Sequence, residues 1–155
     1  MTHINYLYDF TITVFIVNTK KQVLLVNHPR YQKWVPIGGH IEMNEDPEEA
    51  LYREISEETG LDVRIISNRP KIESKGTKFL PSPNYLDVHE ANLPHKHISL
   101  TYFAFSPSDK FVMSSEHQAM RWFSLGDIDK PEYDLSSAVK FYFKEAIKAV
   151  TNSKN

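Results

Sequence analysis

With 155 residues, 41% of them apolar and 25% charged, the chain suits one soluble globular domain that can bury a core without covalent staples. It has no cysteine, which excludes disulfides, thiolate metal sites and cysteine nucleophiles and fits a reducing compartment such as the cytoplasm. The formal net charge of -2 excludes a broad basic field for phosphate backbones, so no polymeric nucleic acid partner is expected.

The chain opens with MTHINYLYDFTITVFIV, which lacks the basic region and small-residue cleavage site of a signal peptide. Its apolar run is short and is interrupted by Asp9 and threonines, so no membrane span is expected. Leu7 to Val17 and Gln22 to Val26 are rich in apolar and β-branched residues and flank the polar break Asn18-Thr19-Lys20-Lys21, which predicts a hairpin. His28 to Gly39, with Pro29, Trp34, Pro36 and Gly38-Gly39, suits a short strand between turns. Pro47 to Thr59 reads as a helix: Asp46 as N-cap, Pro47 at the first helical position, Glu49 at capping-box spacing, and Gly60 as the stop.

A strand is expected over Val63 to Ser67. A long stretch to Lys96 follows, carrying Pro70, Pro81, Pro83 and Pro94 without clear periodicity, and loops of that length are usually functional or mobile. Ile98 to Phe105 and Ala119 to Phe123 read as further strands. Leu135, Ala138, Val139, Tyr142, Phe143, Ala146, Ile147 and Val150 recur at steps of three and four, the apolar face of a helix that packs on a sheet. One domain over residues 1–150 and a loose tail over 151–155 complete this reading.

The informative stretch is GHIEMNEDPEEALYREISEETGL, Gly39 to Leu61. Glu54, Glu57 and Glu58 stand at i, i+3 and i+4 and share a helical face, on much the same stripe as Ala50 and Leu51, which an amphipathic helix turns inward. Carboxylates ~5 Å apart repel by roughly 1 kcal/mol in water and by several times that when partly buried, so the cluster calls for a compensating charge. A hard divalent cation with oxygen ligands meets that need, and Mg²⁺ suits carboxylates that also face phosphates, with Mn²⁺ a second choice. Arg53, one turn before Glu57, can hold that carboxylate in position. The bland reading, a solvated acidic surface, fits an inward stripe poorly.

Gly39, Glu45, Arg53-Glu54-Ile55, Glu57-Glu58 and Gly60-Leu61 keep a spacing that resembles the signature of the Nudix hydrolases, with every fixed position met. Chance agreement at so many positions has odds on the order of one in ten million, taking ~6% per residue type. The resemblance extends to strands before the box, a sheet segment after it, the Trp-Phe-Ser-Leu element and a closing helix. It implies an α/β/α sandwich around a mixed sheet, and hydrolysis of a nucleoside diphosphate derivative by metal-activated water. By position it makes Glu57 and Glu58 the principal metal ligands, Glu54 a direct or water-mediated one, and the Gly38 carbonyl a further ligand. The acid that takes the water's proton differs among members: a box glutamate such as Glu57 or Glu54, or a late acid, for which Glu116 is the candidate and a fifth metal ligand. A small nucleotide-like molecule is the implied substrate, handled by a monomer or homodimer.

Substrate contacts are expected from Arg30 and Lys33 on the turn before the box, with His28 beside them, and from His95 and His97, which sit where loop becomes strand and, two apart, would point to the same side of a strand entered at Lys96. A zinc site on His89, His95 and His97 needs a third or fourth ligand that this segment does not name. Phe79, Tyr85 and Trp34 can stack on a base or fill the core. Two rival functions within the resemblance are weaker. Isomerisation with a cysteine acid/base lacks its cysteine, and a purely regulatory nucleotide-binding domain tends to lose box glutamates that are kept here. Nucleotide sugars rank behind nucleoside di- and triphosphates as substrates, because proline cues for ADP-ribose enzymes are missing.

Overall fold

The computed structural model describes residues 7–153. Residues 1–6, the start of the segment read as leaderless, and residues 154–155, the end of the predicted tail, lie outside the described residues. The described residues form strands β1 (Tyr8–Val17), β2 (Val23–His28), β3 (Lys33–Val35) and β4 (Ile37–His40), helix α1 (Pro47–Thr59), strands β5 (Arg64–Ile66), β6 (Tyr85–Asn92), β7 (His95–Phe105) and β8 (Ala119–Phe123), and helix α2 (Ser137–Asn152).

β1 is the centre of a mixed sheet. It runs parallel to β7 over its whole length and antiparallel to β4, and it meets β2 at Val17 and Val23. β2 carries β3 and β8, while β7 carries β5 at one end and β6 at the other. Because side chains alternate across a strand, the apolar run in β1 serves both faces. Ile12, Val14 and Ile16 join Ala50, Leu51 and Ile55 of α1, whereas Phe15 and Val17 join Phe143, Ala146, Ile147 and Val150 of α2. Each such fully buried aliphatic or aromatic side chain contributes roughly 1.5–3 kcal/mol. The result is the expected α/β/α sandwich, and no helix is long and apolar enough to cross a membrane among the described residues.

Three sequence expectations shift. β6 occupies a stretch read as aperiodic, because its pattern is inverted: Leu86 and Val88 are exposed while the polar Asp87 is half-buried. A pattern with apolar residues facing solvent gives no conventional strand signal. β7 consequently begins at His95 instead of Ile98, so both histidines are strand residues paired with the β6 hairpin. Thr151 and Asn152, expected in the tail, continue α2.

The segment from β8 into α2 is folded around Asp127. Its carboxylate accepts from the Ser124 amide at 2.8 Å, the Ser124 hydroxyl at 2.7 Å and Lys130 Nζ at 2.6 Å. Lys130 first, and then Ser124, hold this carboxyl far below the usual carboxylate range. A depressed folded-state pKa contributes stability that is complete above the unfolded value of about 3.9 and is lost as pH falls through the folded value. Asp127→Asn should therefore melt below the wild type at pH 7, with the gap closing below about pH 4. Melting curves from pH 7 to 2 test this, and a gap that stays constant to pH 2 contradicts it.

Candidate active site

α1 delivers the carboxylates with its ends fixed as the sequence predicts. Asp46 accepts from the Glu48 and Glu49 amides at 2.9 and 3.0 Å, Glu49 Oε2 accepts from the Asp46 amide at 2.8 Å, and Gly60 closes the helix at φ 62°. Gly39 of β4 lies against the Glu54 carboxylate, where any Cβ would collide with it. A Cβ on Gly38 would strike the Ile12 carbonyl. Gly38 is thus required by the close approach of β4 to β1, while a side chain at Gly39 would displace the Glu54 carboxylate.

The three glutamates differ more than their shared stripe suggests. The side chains of Glu58 and Glu54 are 6% and 13% exposed, whereas that of Glu57 is 62% exposed. Arg53 joins the set: Nη1 donates to Glu54 Oε1 at 2.7 Å and to Glu57 Oε2 at 3.2 Å, Nη2 donates to Glu45 Oε2 at 3.0 Å and to the His40 carbonyl at 3.1 Å, and Nε pairs with Glu45. The contact to Glu57 is the one anticipated from the sequence. The contacts to Glu45 were not, although Glu45 is a fixed position of the signature. Arg53 holds the Glu45 carboxyl below its ordinary pKa, and Glu45 in turn raises that of Arg53, so the guanidinium is permanently charged.

Glu58 sits deepest. Oε1 accepts from the Gly38 amide at 3.2 Å, and Oε2 stands 2.6 Å from His117 Nε2. Burial pushes its carboxyl up to about 8, the Gly38 bond acts in the opposite direction, and the charges of Glu54 and Glu116 raise it further. Burial also lowers the His117 pKa, with His28 adding to the effect. Burial thus acts against charge on both partners, the Glu58 carboxylate and the His117 imidazolium. A buried carboxyl among other carboxylates is a site where a cation can supply the missing counter-charge. This donor set fits Mg²⁺ or Mn²⁺: all oxygen, anionic, and held by a rigid helix.

Glu116 and His117 reach this place through the loop between β7 and β8. The Val112 amide donates to the Thr59 carbonyl at 2.9 Å and the Ser114 amide to the Glu58 carbonyl at 3.3 Å, which ties the loop to the end of α1. Glu116 is exposed on it, near enough to raise the Glu58 pKa. His117 was missed by sequence reasoning. Its only signal is adjacency to the late acid.

A cleft of about 640 Å³ opens on the α2 face of the sheet, bounded by Gly38, Gly39 and His40 where β4 meets the acidic helix. Thr11, Thr13, Ser99 and Thr101 belong to its lining, with Ser136 and Tyr142 from the α2 side. Lys33 and His28 line it too, whereas Arg30 does not and instead lies 2.6 Å from the Asn92 side-chain amide. His97 lines the cleft, but His95 is outside the lining and stands 2.7 Å from Asp9. Of the long stretch read as functional or mobile, Asp87, His89, Glu90 and Ala91 of β6 line the cleft. Its earlier part is strapped to the start of α1 by Arg69 on Glu48 and by Lys78 on Asp46. Trp34 packs edge-on against Phe123, and Tyr85 against Phe103 and Tyr142, so both are packing aromatics.

A family model for the NUDIX domain matches residues 7–144. A solved NUDIX-family hydrolase from Clostridium perfringens is 32% identical, covers 92% of this chain and 97% of its own, and superposes with a TM-score of 0.80. The Escherichia coli dihydroneopterin triphosphate pyrophosphohydrolase shares the fold at 17% identity and TM-score 0.68 over 92% of this chain and 98% of its own. Among curated proteins, the Nudix hydrolase YvcI of Bacillus subtilis is 29% identical over 76% of this chain and 67% of its own length. The RNA pyrophosphohydrolase of Hamiltonella defensa is 41% identical, but over only 39% of either protein. With the domain matched over nearly its whole length, and with the box glutamates gathered where α1 meets β4, the chain belongs to the NUDIX family.

Proposed function

We propose that the chain is a Nudix hydrolase that cleaves a phosphoanhydride bond of a nucleoside di- or triphosphate, or of another nucleoside diphosphate derivative, with Mg²⁺ or Mn²⁺. The observation that carries this reading is the buried Glu58, with the charges of Glu54 and Glu116 close enough to act on it. Glu57, Glu58, Glu54, Glu116 and the Gly38 carbonyl are the residues that would hold the metal. A bound divalent ion supplies neutralisation of phosphate charge and a lowered pKa for the attacking water.

The chain's own groups do the rest. Arg53 keeps Glu54 and Glu57 oriented and limits their mutual repulsion. The Gly38 amide and His117 fix both oxygens of Glu58. Glu116, exposed and unattached through its carboxylate to any helix or strand, has the freedom to accept a proton from water. Lys33 at the cleft offers a cation for phosphate, and the polar floor of Thr11, Thr13, Ser99 and Thr101 offers hydroxyls to a sugar or base. Action in the cytoplasm, which the cysteine-free composition suits, belongs to the same reading, as does a monomer or homodimer.

The test is a panel of nucleoside di- and triphosphates, nucleotide sugars and a 5′-triphosphorylated RNA oligonucleotide, assayed with each metal and with both products identified. The RNA member is included because of the Hamiltonella relative. Turnover of at least one nucleotide to a monophosphate product is expected, and no turnover of any member with either metal overturns the reading. On the best substrate, Glu116→Gln should lower kcat ~10²-fold, within the usual range for acid-base groups, with a small change in KM. A raised KM at unchanged kcat would make Glu116 a binding residue instead.

A further inference from the structure

Separate from the glutamates, the sheet register gathers a second set of ligand-type side chains. Asp9 of β1 is paired with His97 of the parallel strand β7, and His97 is paired on its other side with His89 of β6. His95 lies two residues before His97 and so on the same face. His40 of β4 is paired with Thr11, two residues from Asp9, which places it on that face as well. Four strands therefore present one aspartate and four histidines together, although they are scattered from position 9 to position 97.

The contacts bear out the register. Asp9 Oδ2 lies 2.7 Å from His95 Nε2 and 3.5 Å from His40 Nε2. The His97 ring is 4.9 Å from that of His40 and 5.7 Å from that of His95, centre to centre. One donor atom from each of Asp9, His40, His95 and His97 falls within 4.8 Å of all the others. A tetrahedral ion with bonds of ~2.0–2.1 Å holds its donors about 3.4 Å apart, so modest rotations of partly exposed side chains close the set. His89 stands behind His97 at 5.3 Å and is itself held by Asp87 at 2.8 Å.

We propose that Asp9, His40, His95 and His97 form a second metal site, for a borderline divalent transition ion and foremost Zn²⁺. Three imidazoles and one carboxylate match Zn²⁺ in donor type and number, and they suit poorly the hard Mg²⁺ that favours the all-oxygen glutamate set. The ion would join β1, β4 and β7 at the rim of the cleft, since His40 and His97 belong to its lining. The third and fourth ligands that the His89-His95-His97 pattern lacked are Asp9 and His40, which only the β1–β4–β7 pairing brings near.

The proposal does not depend on the hydrolase reading, and its probe is Zn²⁺ alone. Metal-stripped protein without an affinity tag is titrated with Zn²⁺ by calorimetry, and with Co²⁺ by visible absorption, which is intense for tetrahedral coordination. One tight equivalent is expected in the wild type and in Glu57→Gln, with at least the ~100-fold loss of affinity in the double variant His95→Ala/His97→Ala that lesser perturbations of metal sites produce. The double variant should keep its thermal shift with Mg²⁺. If it fails to fold, the exposed His40→Gln serves in its place and should also weaken Zn²⁺ and abolish the tetrahedral Co²⁺ spectrum. Zn²⁺ binding that survives these substitutions, that is lost in Glu57→Gln, or that is not detected in the wild type overturns the site.

Discussion

Glu57→Gln is expected to reduce kcat with Mg²⁺ by ~10²–10³-fold, the scale of removing one charged or donor group that acts mainly on the transition state, while leaving the fold intact. The two halves of that expectation rest on different observations. Glu57 is the most exposed of Glu54, Glu57 and Glu58, and its bond to Arg53 is longer than that of Glu54. Glutamine keeps its shape and its hydrogen-bond reach, so the stability change should stay within about 0.5 kcal/mol. A solvent-facing carboxylate that contributes little to folding, yet continues the stripe of two buried ones, is most economically explained as a ligand. Apo wild type should gain melting temperature on adding Mg²⁺ through binding linkage, and the variant should gain less. Full turnover by Glu57→Gln, or by wild type stripped with a chelator, would sink the metal assignment.

How far the sequence alone reached depends on the range over which each feature is decided. α1 is legible to the residue because its caps are local: Asp46, Pro47, Glu49 and Gly60 lie within one turn of the ends they fix. The box glutamates are legible because helical periodicity places them on one face. Their unequal burial is not, since it depends on how α1 seats on β4, where Gly39 leaves room for the Glu54 carboxylate and the Gly38 amide donates to Glu58. β6 escaped because it is an edge strand that turns Leu86 and Val88 to solvent. With β6 unseen, His95 and His97 had to be placed at a loop end, and their true neighbours Asp9 and His40 could not be named. His117 is likewise a product of long-range docking, delivered to Glu58 by a loop anchored on Thr59 and Glu58 backbone carbonyls. Pairings across the sheet and loop docking carry no local signature.

Arg53→Ala should be the most damaging single change at the site, lowering both stability and rate. The side chain is 23% exposed and donates to Glu45, Glu54, Glu57 and the His40 carbonyl, so truncation strands Glu45 and Glu54, whose side chains are 15% and 13% exposed. Removing one partner of a buried ion pair is strongly destabilising, and partial solvent access at Glu45 and Arg53 reduces that cost here. Urea unfolding should show a lower midpoint at an unchanged slope. Arg53→Lys should recover part of the stability and little of the rate, because one ammonium supplies charge but cannot reproduce a planar fork that engages separate carboxylates in fixed directions. A double-mutant cycle separates the two roles. Glu45→Gln combined with Arg53→Ala should be less destabilised than the sum of the singles, as the stranded charge is gone, while the rate stays low because Glu54 and Glu57 remain unheld. Additive stabilities, or a rate restored by the second substitution, would show that Arg53 serves the fold or Glu45 alone and does not position the carboxylates.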